Sequence, residues 1–166
     1  MKLAVIYYSK TGQTKEMAEI IAEGMRKTGS DVKNFSVDES MDREYLKECS
    51  GVVFGSPMYL ATSHWRLSQW LLEDSSNLSL AGKLGGAFAT AHYAQGGSDS
   101  TILSLLGILL VKGMLVYSGG SAFGKPFIHH GPVALDAVGD HYEESKAQFE
   151  IFGQRFAEKA LELFEA

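Results

Sequence analysis

The sequence predicts an α/β protein with a doubly wound parallel sheet that is covered by helices on both faces. Short apolar runs alternate with amphipathic stretches along the chain, as in sheets whose parallel strands are joined by crossover helices. The length of 166 residues is within the range of one domain with one substantial core. We therefore expect a single domain over residues 1–166.

Five apolar runs that end at turn signals are predicted as the strands of this sheet. They are Leu3–Tyr8, Val32–Val37, Gly51–Gly55 with Pro57 as its stop, Ala87–Thr90 with a start near Leu84, and Met114–Tyr117. Right-handed crossovers allow the strand order 2-1-3-4-5. In that order the loops after strands one, three and four meet at one crevice, where we expect a ligand site.

Amphipathic or wholly apolar stretches between these runs predict helices. The predicted helices cover Lys15–Lys27, Ser40–Cys49 with Ser40 as the cap, the region around Trp65 to Leu71, Ser98–Val111 and His141–Phe164. Residues Gly119 to Asp140 include five glycines and two prolines and show no periodicity. This stretch is predicted as a long loop, which in a compact domain is usually functional or disordered.

Composition excludes several classes of protein. A formal net charge of −5 without a cluster of Lys and Arg argues against nucleic acid as a partner. The single cysteine, Cys49, cannot form an intrachain disulfide and suits a reducing compartment. The apolar start of the chain is too short for a signal peptide, and the stretch Ile102 to Tyr117 is too interrupted for a membrane span. We expect a cytoplasmic protein.

The loop after the first strand carries the strongest functional signal. Ser9-Lys10-Thr11-Gly12-Gln13-Thr14 follows a strand and opens a helix, where free backbone N–H groups and the helix dipole favour an anion. Gly12 permits close approach of the backbone, and three hydroxyls add donors without a full charge. The spacing is neither the Walker nor the dinucleotide pattern. It predicts a phosphate monoester site, with a merely capped turn as the alternative.

This loop, placed after Ile6-Tyr7-Tyr8, resembles the phosphate-loop signature of the flavodoxin-like superfamily. The resemblance implies FMN, with its phosphate held by Ser9, Lys10, Thr11, Gly12, Gln13 and Thr14. It extends to two further loops, where the family grips the isoalloxazine ring. The residues implied there are Pro57, Met58, Tyr59, Leu60, Ala61 and Thr62 in one loop, and Thr90, Ala91, His92, Tyr93, Gln95, Gly96 and Gly97 in the other.

Within the superfamily, the layout is most similar to short NAD(P)H:quinone oxidoreductases of the tryptophan-repressor-binding-protein (WrbA) type. The similarity rests on Gly-Ser-Pro-x-Tyr after the third strand, on Gly96-Gly97 ahead of Asp99, and on Lys112-Gly113-Met114. The sequence departs from the pattern at Gln95 and over Phe127 to Asp136. The resemblance implies NADH or NADPH as electron donor, a quinone as acceptor, and a homodimer or homotetramer.

Aromatic and histidine residues of the same loops are candidates for contacts with the ring and the acceptor. Tyr59 or Tyr93 can stack on the ring, although either can instead pack beneath its own loop. His92, His129 and His130 can hydrogen-bond a quinone oxygen, but an ordinary loop position explains each of them as well. His130 is the one candidate catalytic residue. Adjacent histidines without carboxylate or cysteine at ligand spacing do not indicate a metal site.

Two functions therefore remain open. One is an enzyme that passes electrons from NAD(P)H through FMN to a quinone, with the cofactor doing the chemistry. The other is an electron carrier that shuttles electrons between protein partners. Few acidic residues lie in the predicted loops, with Asp99 the nearest, and this favours the enzyme because carriers often recognise partners through charge. A phosphoacceptor receiver domain is excluded, since it needs clustered aspartates where Tyr8-Ser9 and Ser56-Pro57 stand.

Overall fold

The computed structural model describes residues 1–165 and contains one seven-stranded sheet with helices on both faces. Its strands are Lys2–Tyr7 (β1), Asp31–Ser36 (β2), Gly51–Tyr59 (β3), Thr62–Ser63 (β4), Leu84–Ala91 (β5), Leu115–Val116 (β6) and Val133–Leu135 (β7). Its α-helices are Gln13–Arg26 (α1), Arg43–Glu48 (α2), Trp65–Glu73 (α3), Ser98–Val111 (α4) and His141–Phe164 (α5). Among these residues, no helix is long and apolar enough to cross a membrane.

The strand order confirms the predicted doubly wound sheet. Hydrogen-bonded neighbours run β2-β1-β3-β5-β6, and all of these pairs are parallel. Numbering the five predicted strands along the chain gives the expected order 2-1-3-4-5. The carboxyl ends of β1, β3 and β5 therefore lie side by side at one edge of the sheet.

Two short strands flank β5 on the same side, and only the first, β6, lies within the predicted fifth strand Met114–Tyr117. β6 pairs with Leu84 and Gly85 at the start of β5, and β7 pairs with Ala89 to Ala91 at its end. The prediction of a structureless loop over residues 119–140 is thus wrong in part, because the stretch contains β7 and a short 3-10 turn over Ser121–Phe123. Three residues are too few to produce a visible alternation, which is why the sequence conceals this strand.

The sheet is buried on both faces because alternate residues of β1 enter two different cores. Leu3, Val5 and Tyr7 belong to a core formed with α1 and α5. Ala4 and Ile6 belong to a second core, to which α2, α3 and α4 contribute. This double burial explains the continuous apolar runs from which the strands are predicted.

α1 and α5 cross closely because each has a glycine at the contact. A Cβ atom on Gly24 would lie 2.0 Å from the carbonyl oxygen of Glu150, and one on Gly153 would lie 2.1 Å from that of Ile21. Neither position can hold a side chain without separating the helices. In α1 and α5, a helical glycine therefore marks a place where another backbone comes near.

Two helix starts differ from the prediction for local reasons. α1 begins at Gln13 rather than Lys15, because Gly12, at φ 100°, directly precedes the helical residues. α2 begins at Arg43, and its cap is Asp42, whose carboxylate accepts a hydrogen bond from the Tyr45 N–H. Ser40 lies outside this helix, so its predicted capping role is wrong.

Candidate functional site

An open cavity of about 250 Å³ lies where the carboxyl ends of β1, β3 and β5 meet. Residues of all three predicted loops contribute to its wall, as the topology requires. The lining residues are Lys10, Thr11, Gln13, Thr14, Pro57, Met58, Tyr59, Leu60, Thr90, Ala91 and His92. The fold thus brings together segments that are far apart in the chain.

The first loop is shaped by the hydroxyl of Ser9, which folds the loop onto itself. Its Oγ accepts hydrogen bonds from the N–H groups of Gly12 and Lys15, each at 3.2 Å. In the described residues 1–165, the N–H groups of Thr11, Gln13 and Thr14 donate to no protein acceptor. These free donors at the start of α1 form a cradle for an anion.

A buried pair of hydroxyls joins this cradle to β5. Oγ1 of Thr14 lies 2.8 Å from Oγ1 of Thr90, and both residues are buried. Each hydroxyl can donate one hydrogen bond and accept others, so the pair keeps a donor to offer to a ligand atom. Thr14 and Thr90 thereby connect two of the three loops at the floor of the cavity.

The second loop is a β-hairpin, which the sequence does not reveal. β3 continues past Pro57 to Tyr59, and β4 returns antiparallel to it, with Met58 opposite Ser63. The prediction that Pro57 stops the strand is wrong. The last hydrogen bond between β1 and β3 runs from the Tyr8 N–H to the Gly55 carbonyl oxygen. The nitrogen of Pro57 faces the same side, beyond the point where β1 ends. No partner strand therefore requires an N–H from Pro57.

The hairpin turns through two residues in a strained conformation. Leu60 has φ 51° and Ala61 has φ 60°, values that the favoured two-residue turn requires and that Asn and Gly normally supply. Left-handed backbone at such residues costs about 1–2 kcal/mol each. Neither Leu60 nor Ala61 is a residue type that favours this turn. Backbone strain of this kind is concentrated at binding sites, and Leu60 lines the cavity.

The third loop holds the hairpin in place through two glycines. A Cβ on Gly96 would lie 2.5 Å from Cε of Met58, and one on Gly97 would lie 2.6 Å from Cβ of Ala61. Gly97 also has φ 98° and precedes α4. Gly96 and Gly97 thus support the second loop from behind rather than line the cavity.

Asp136 joins the first loop to the third, and sequence reasoning does not find it. Its Oδ2 accepts a hydrogen bond from Nε2 of Gln13, and its Oδ1 lies 2.5 Å from Nδ1 of His92. Burial favours the neutral carboxyl, but the hydrogen bonds from Gln13 and His92 outweigh it and hold the pKa of Asp136 below its usual range. The carboxylate therefore stays charged beside the cavity. Asp136 directly follows β7. If the sequence had revealed this strand, the position at its carboxyl end would have marked Asp136 as a candidate site residue.

Aromatic rings support the hairpin on its outer side. The imidazole of His64 stacks on Tyr8 with ring centroids 3.9 Å apart, and it forms a T-shaped pair with Tyr59 with centroids 4.9 Å apart. Burial and the nearby Arg66 cation lower the pKa of His64, which keeps the ring neutral at pH 7. Its Nδ1 accepts a hydrogen bond from the Arg66 N–H at the start of α3, so His64 caps this helix.

Several predicted site residues lie around the cavity rather than in its wall. Ser9, Gly12, Ala61, Gly96 and Gly97 shape the three loops. Thr62, Tyr93 and Gln95 are exposed beside them, and the Tyr93 ring lies 6.1 Å from that of His92. His130, whose Nδ1 is 3.5 Å from Oδ1 of Asp99 near the start of α4, does not line the cavity. A catalytic role for His130 has no support from this geometry.

Comparison with known proteins adds independent information. The model of the family described as "Flavodoxin domain" matches residues 4–94. A flavodoxin of Clostridium saccharobutylicum is 43% identical over 165 residues, which cover 99% of this chain and 100% of the relative. An NAD(P)H dehydrogenase (quinone) of Cupriavidus metallidurans is 31% identical over 163 residues, covering 82% of this chain and 77% of the relative.

A solved structure gives the same answer for the fold. The flavodoxin, WrbA-like protein from Agrobacterium tumefaciens superposes with a TM-score of 0.80 at 22% identity, covering 97% of this chain and 98% of that protein. The strand order, the loop sequence Ser9 to Thr14 and the full-length relative agree with one another. This chain belongs to the flavodoxin family.

Proposed function

We propose that this chain binds FMN, with the phosphate in the loop of residues 9–14. The fit is supported by the free N–H groups of Thr11, Gln13 and Thr14 and by the absence of any acidic residue from this loop. The hydroxyls of the buried pair Thr14 and Thr90 add neutral donors. Neutral donors would bind the phosphate without the cost of removing water from a charged side chain.

The remainder of the cavity suits a flat, largely apolar ring. Pro57, Met58, Tyr59, Leu60 and Ala91 line it between the second and third loops. Tyr59 is 40% exposed, so its ring can stack on a ligand bound in the cavity. Backbone N–H groups of residues 92–97 lie in the loop next to this space and can bind the polar edge of the ring.

We infer that the protein acts chiefly as an electron carrier between proteins. The observation that carries this inference is the full-length similarity to a flavodoxin at 43% identity. The rim of the cavity is consistent with it, because Leu60 is 97% exposed and Tyr59 is 40% exposed, so a protein partner can reach a ring bound beside them. Bound FMN would supply reversible acceptance and release of electrons. The chain binds and orients the cofactor and excludes water from one side.

The test combines binding with electron delivery. FMN added to the purified protein should lose its fluorescence at a one-to-one ratio, and riboflavin should bind far more weakly. The FMN form should then increase the rate at which a flavodoxin reductase with NADPH reduces cytochrome c. A protein that leaves FMN fluorescence unchanged would contradict the cofactor, and one that binds FMN without stimulating the reductase would contradict the carrier.

A second function is an NAD(P)H:quinone oxidoreductase. The specific observation in its favour is His92, which lies in the cavity wall with Nδ1 held by Asp136 and can offer Nε2 to a quinone oxygen. Relatives at about 30% identity are described as NAD(P)H dehydrogenase (quinone). Steady-state oxidation of NADH or NADPH by benzoquinone, without any reductase, would establish this activity. Loss of most of that turnover in His92→Ala, with FMN binding retained, would assign His92 to it.

A further inference from the structure

His92 is held differently from two other histidines of the chain. Its Nδ1 lies 2.5 Å from the ionised carboxylate of Asp136, whereas Nδ1 of His64 and Nδ1 of His141 each accept a backbone N–H. A carboxylate has no hydrogen to donate, so the hydrogen between Asp136 and His92 belongs to Nδ1 of the imidazole. The neutral ring of His92 therefore has an unprotonated Nε2, which can accept a proton.

The one similar pair in the described chain is weaker. Nδ1 of His130 is 3.5 Å from Oδ1 of Asp99, whose side chain is 74% exposed. The side chain of Asp136 is 18% exposed, and its second oxygen is bound by Gln13. Solvent screens a charge less where that charge is partly buried. Asp136 can therefore stabilise a cation at His92 better than Asp99 can at His130.

The wall of the cavity offers little else to balance a negative charge. Of the described residues that line it, Lys10 carries the one fixed charge, and Lys10 lies in the loop proposed to hold the phosphate. His92 is the lining residue that can gain a positive charge near neutral pH. Electrons added to a cofactor in this cavity would bring negative charge, and a nearby negative charge favours a protonated imidazole.

We propose that His92 takes up one proton when a flavin bound in the cavity is reduced, and that Asp136 is the positioning residue for this uptake. The electrons come from the external reductant, and the proton comes from water. The bond that forms is N–H at Nε2, and reoxidation releases the proton to water again. The side chain of His92 is 71% exposed, so water can deliver the proton. The proposal rests on the proposed binding of FMN, and it applies whether the electrons then leave to a protein or to a quinone.

Few other ionisable groups act on His92. The ring of Tyr93, on the same loop, lies 6.1 Å from the imidazole, and Lys10 lies in the wall of the same cavity. Gln13 of α1 contacts Asp136 through a neutral amide. Asp136 is therefore the group whose removal should change the proton affinity of His92 most.

The first test uses the protein without cofactor. Nitrogen-15 NMR of histidine-labelled protein distinguishes the two neutral forms of an imidazole, and the hydrogen of His92 should be on Nδ1. In Asp136→Asn the amide oxygen can still accept from Nδ1, so this form should persist while the proton affinity of His92 falls at least about tenfold. The matched control is Asp99→Asn, which should change the proton affinity of His92 less than about twofold.

The second test compares the oxidised FMN form with the dithionite-reduced form, at a pH where His92 of the oxidised form is neutral. Reduction should convert the NMR signals of His92 to those of an imidazolium. His130 and His141 do not line the cavity and should keep their protonation state. In Asp136→Asn, with FMN bound, His92 should stay neutral after reduction at the same pH.

A third measurement is the midpoint potential of the FMN form as a function of pH. Uptake of a proton on reduction makes the potential fall as the pH rises. His92→Gln should lose this part of the pH dependence while it retains FMN. The matched control is His130→Gln, which removes a histidine outside the cavity wall and should keep the wild-type dependence.

Four results would overturn the proposal. They are a hydrogen on Nε2 of neutral His92, a His92 that stays neutral after reduction, equal protonation of His92 in Asp136→Asn, and a wild-type pH dependence of the potential in His92→Gln. A protein that binds no FMN would instead overturn the proposed function, on which this proposal rests. The two failures are thus told apart by the FMN titration alone.

Discussion

Asp136 and His92 are joined at the rim of the cavity, with Oδ1 of the carboxylate 2.5 Å from Nδ1 of the imidazole. The other carboxylate oxygen holds Gln13 in the first loop. One side chain that follows β7 therefore fixes the relative positions of the first and third loops. The charge state of this carboxylate controls how firmly the candidate site is assembled.

Asp136→Asn should destabilise the protein in a pH-dependent way. Because the pKa of Asp136 is lower in the folded protein than in the unfolded chain, its charge stabilises the fold above about pH 4, and this contribution is lost as the pH falls through the folded value. We expect a loss of about 1 kcal/mol in unfolding free energy at pH 7, which disappears once the pH has fallen below the lowered pKa of Asp136 in the folded protein. Urea unfolding at several pH values measures it.

The matched control for this variant is Asp99→Asn. Asp99 also lies near an imidazole, that of His130, but at 3.5 Å, and its side chain is 74% exposed. This substitution should change stability little at any pH. An equal loss in both variants, or a loss in Asp136→Asn that does not depend on pH, would contradict the role given to Asp136.

Thr11→Glu should abolish tight binding of FMN while sparing riboflavin. Thr11 is exposed in the first loop, so the fold should tolerate glutamate. The carboxylate would face the dianionic phosphate, and we expect a loss of about 100-fold in FMN affinity, which corresponds to about 3 kcal/mol. Fluorescence titration with both flavins measures the difference. Equal losses for FMN and riboflavin would show that the phosphate is not held in this loop.

Gly97→Ala should cost more stability than Gly82→Ala. Both glycines have positive φ, 98° and 81°, so alanine strains the backbone similarly at each. At Gly97 the added Cβ would also lie 2.6 Å from that of Ala61, whereas at Gly82 nothing lies within 4 Å. We expect an additional loss of about 1–3 kcal/mol at Gly97, from overpacking against the hairpin. Thermal unfolding of the two variants gives the comparison, and equal melting temperatures would contradict it.

Arg155→Lys should loosen the segment between β6 and β7. The Nη1 and Nη2 atoms of Arg155 lie 3.2 to 3.4 Å from six backbone carbonyl oxygens of residues 119–126, which share the four N–H groups of these two nitrogens. An ammonium group cannot reproduce this planar fork of donors, so we expect a loss of about 1–2 kcal/mol. Chymotrypsin should then cleave faster after the exposed Phe123 and Phe127.

Arg66→Lys provides the control for this prediction. It is the same substitution on α3, where Arg66 makes an exposed ion pair with Asp38 that lysine can retain. Cleavage after Phe123 and Phe127 should keep its wild-type rate in this variant. Unchanged cleavage in Arg155→Lys as well would show that the guanidinium does not organise the segment.

Local patterns explain which parts of the structure the sequence predicts. α4 and α5 are predicted to the residue, because a polar residue at the start and a sustained apolar pattern are both local features. The Ser9 to Thr14 loop is predicted for the same reason. The turn at Leu60 and Ala61 is missed because its conformation is imposed by packing against Gly97 and not by its own residue types.

Other features depend on contacts that no local pattern records. Asp136 contacts Gln13, a residue 123 positions away in the chain, and Thr14 contacts Thr90 across 76 positions. Thr14 and Thr90 each fall in a predicted loop, so the topology brings them together in outline. Asp136 follows a three-residue strand within a stretch predicted as loop, so nothing in its surroundings singles it out.

The segment between β6 and β7 gives this fold a permissive insertion point. β6 and β7 anchor both ends of the intervening segment to the same strand, β5. A change in the length of that segment would leave the register of β7, and hence the placement of Asp136, untouched. A foreign module inserted between the exposed residues Ser121 and Ala122 would therefore leave the dimensions of the cavity unchanged.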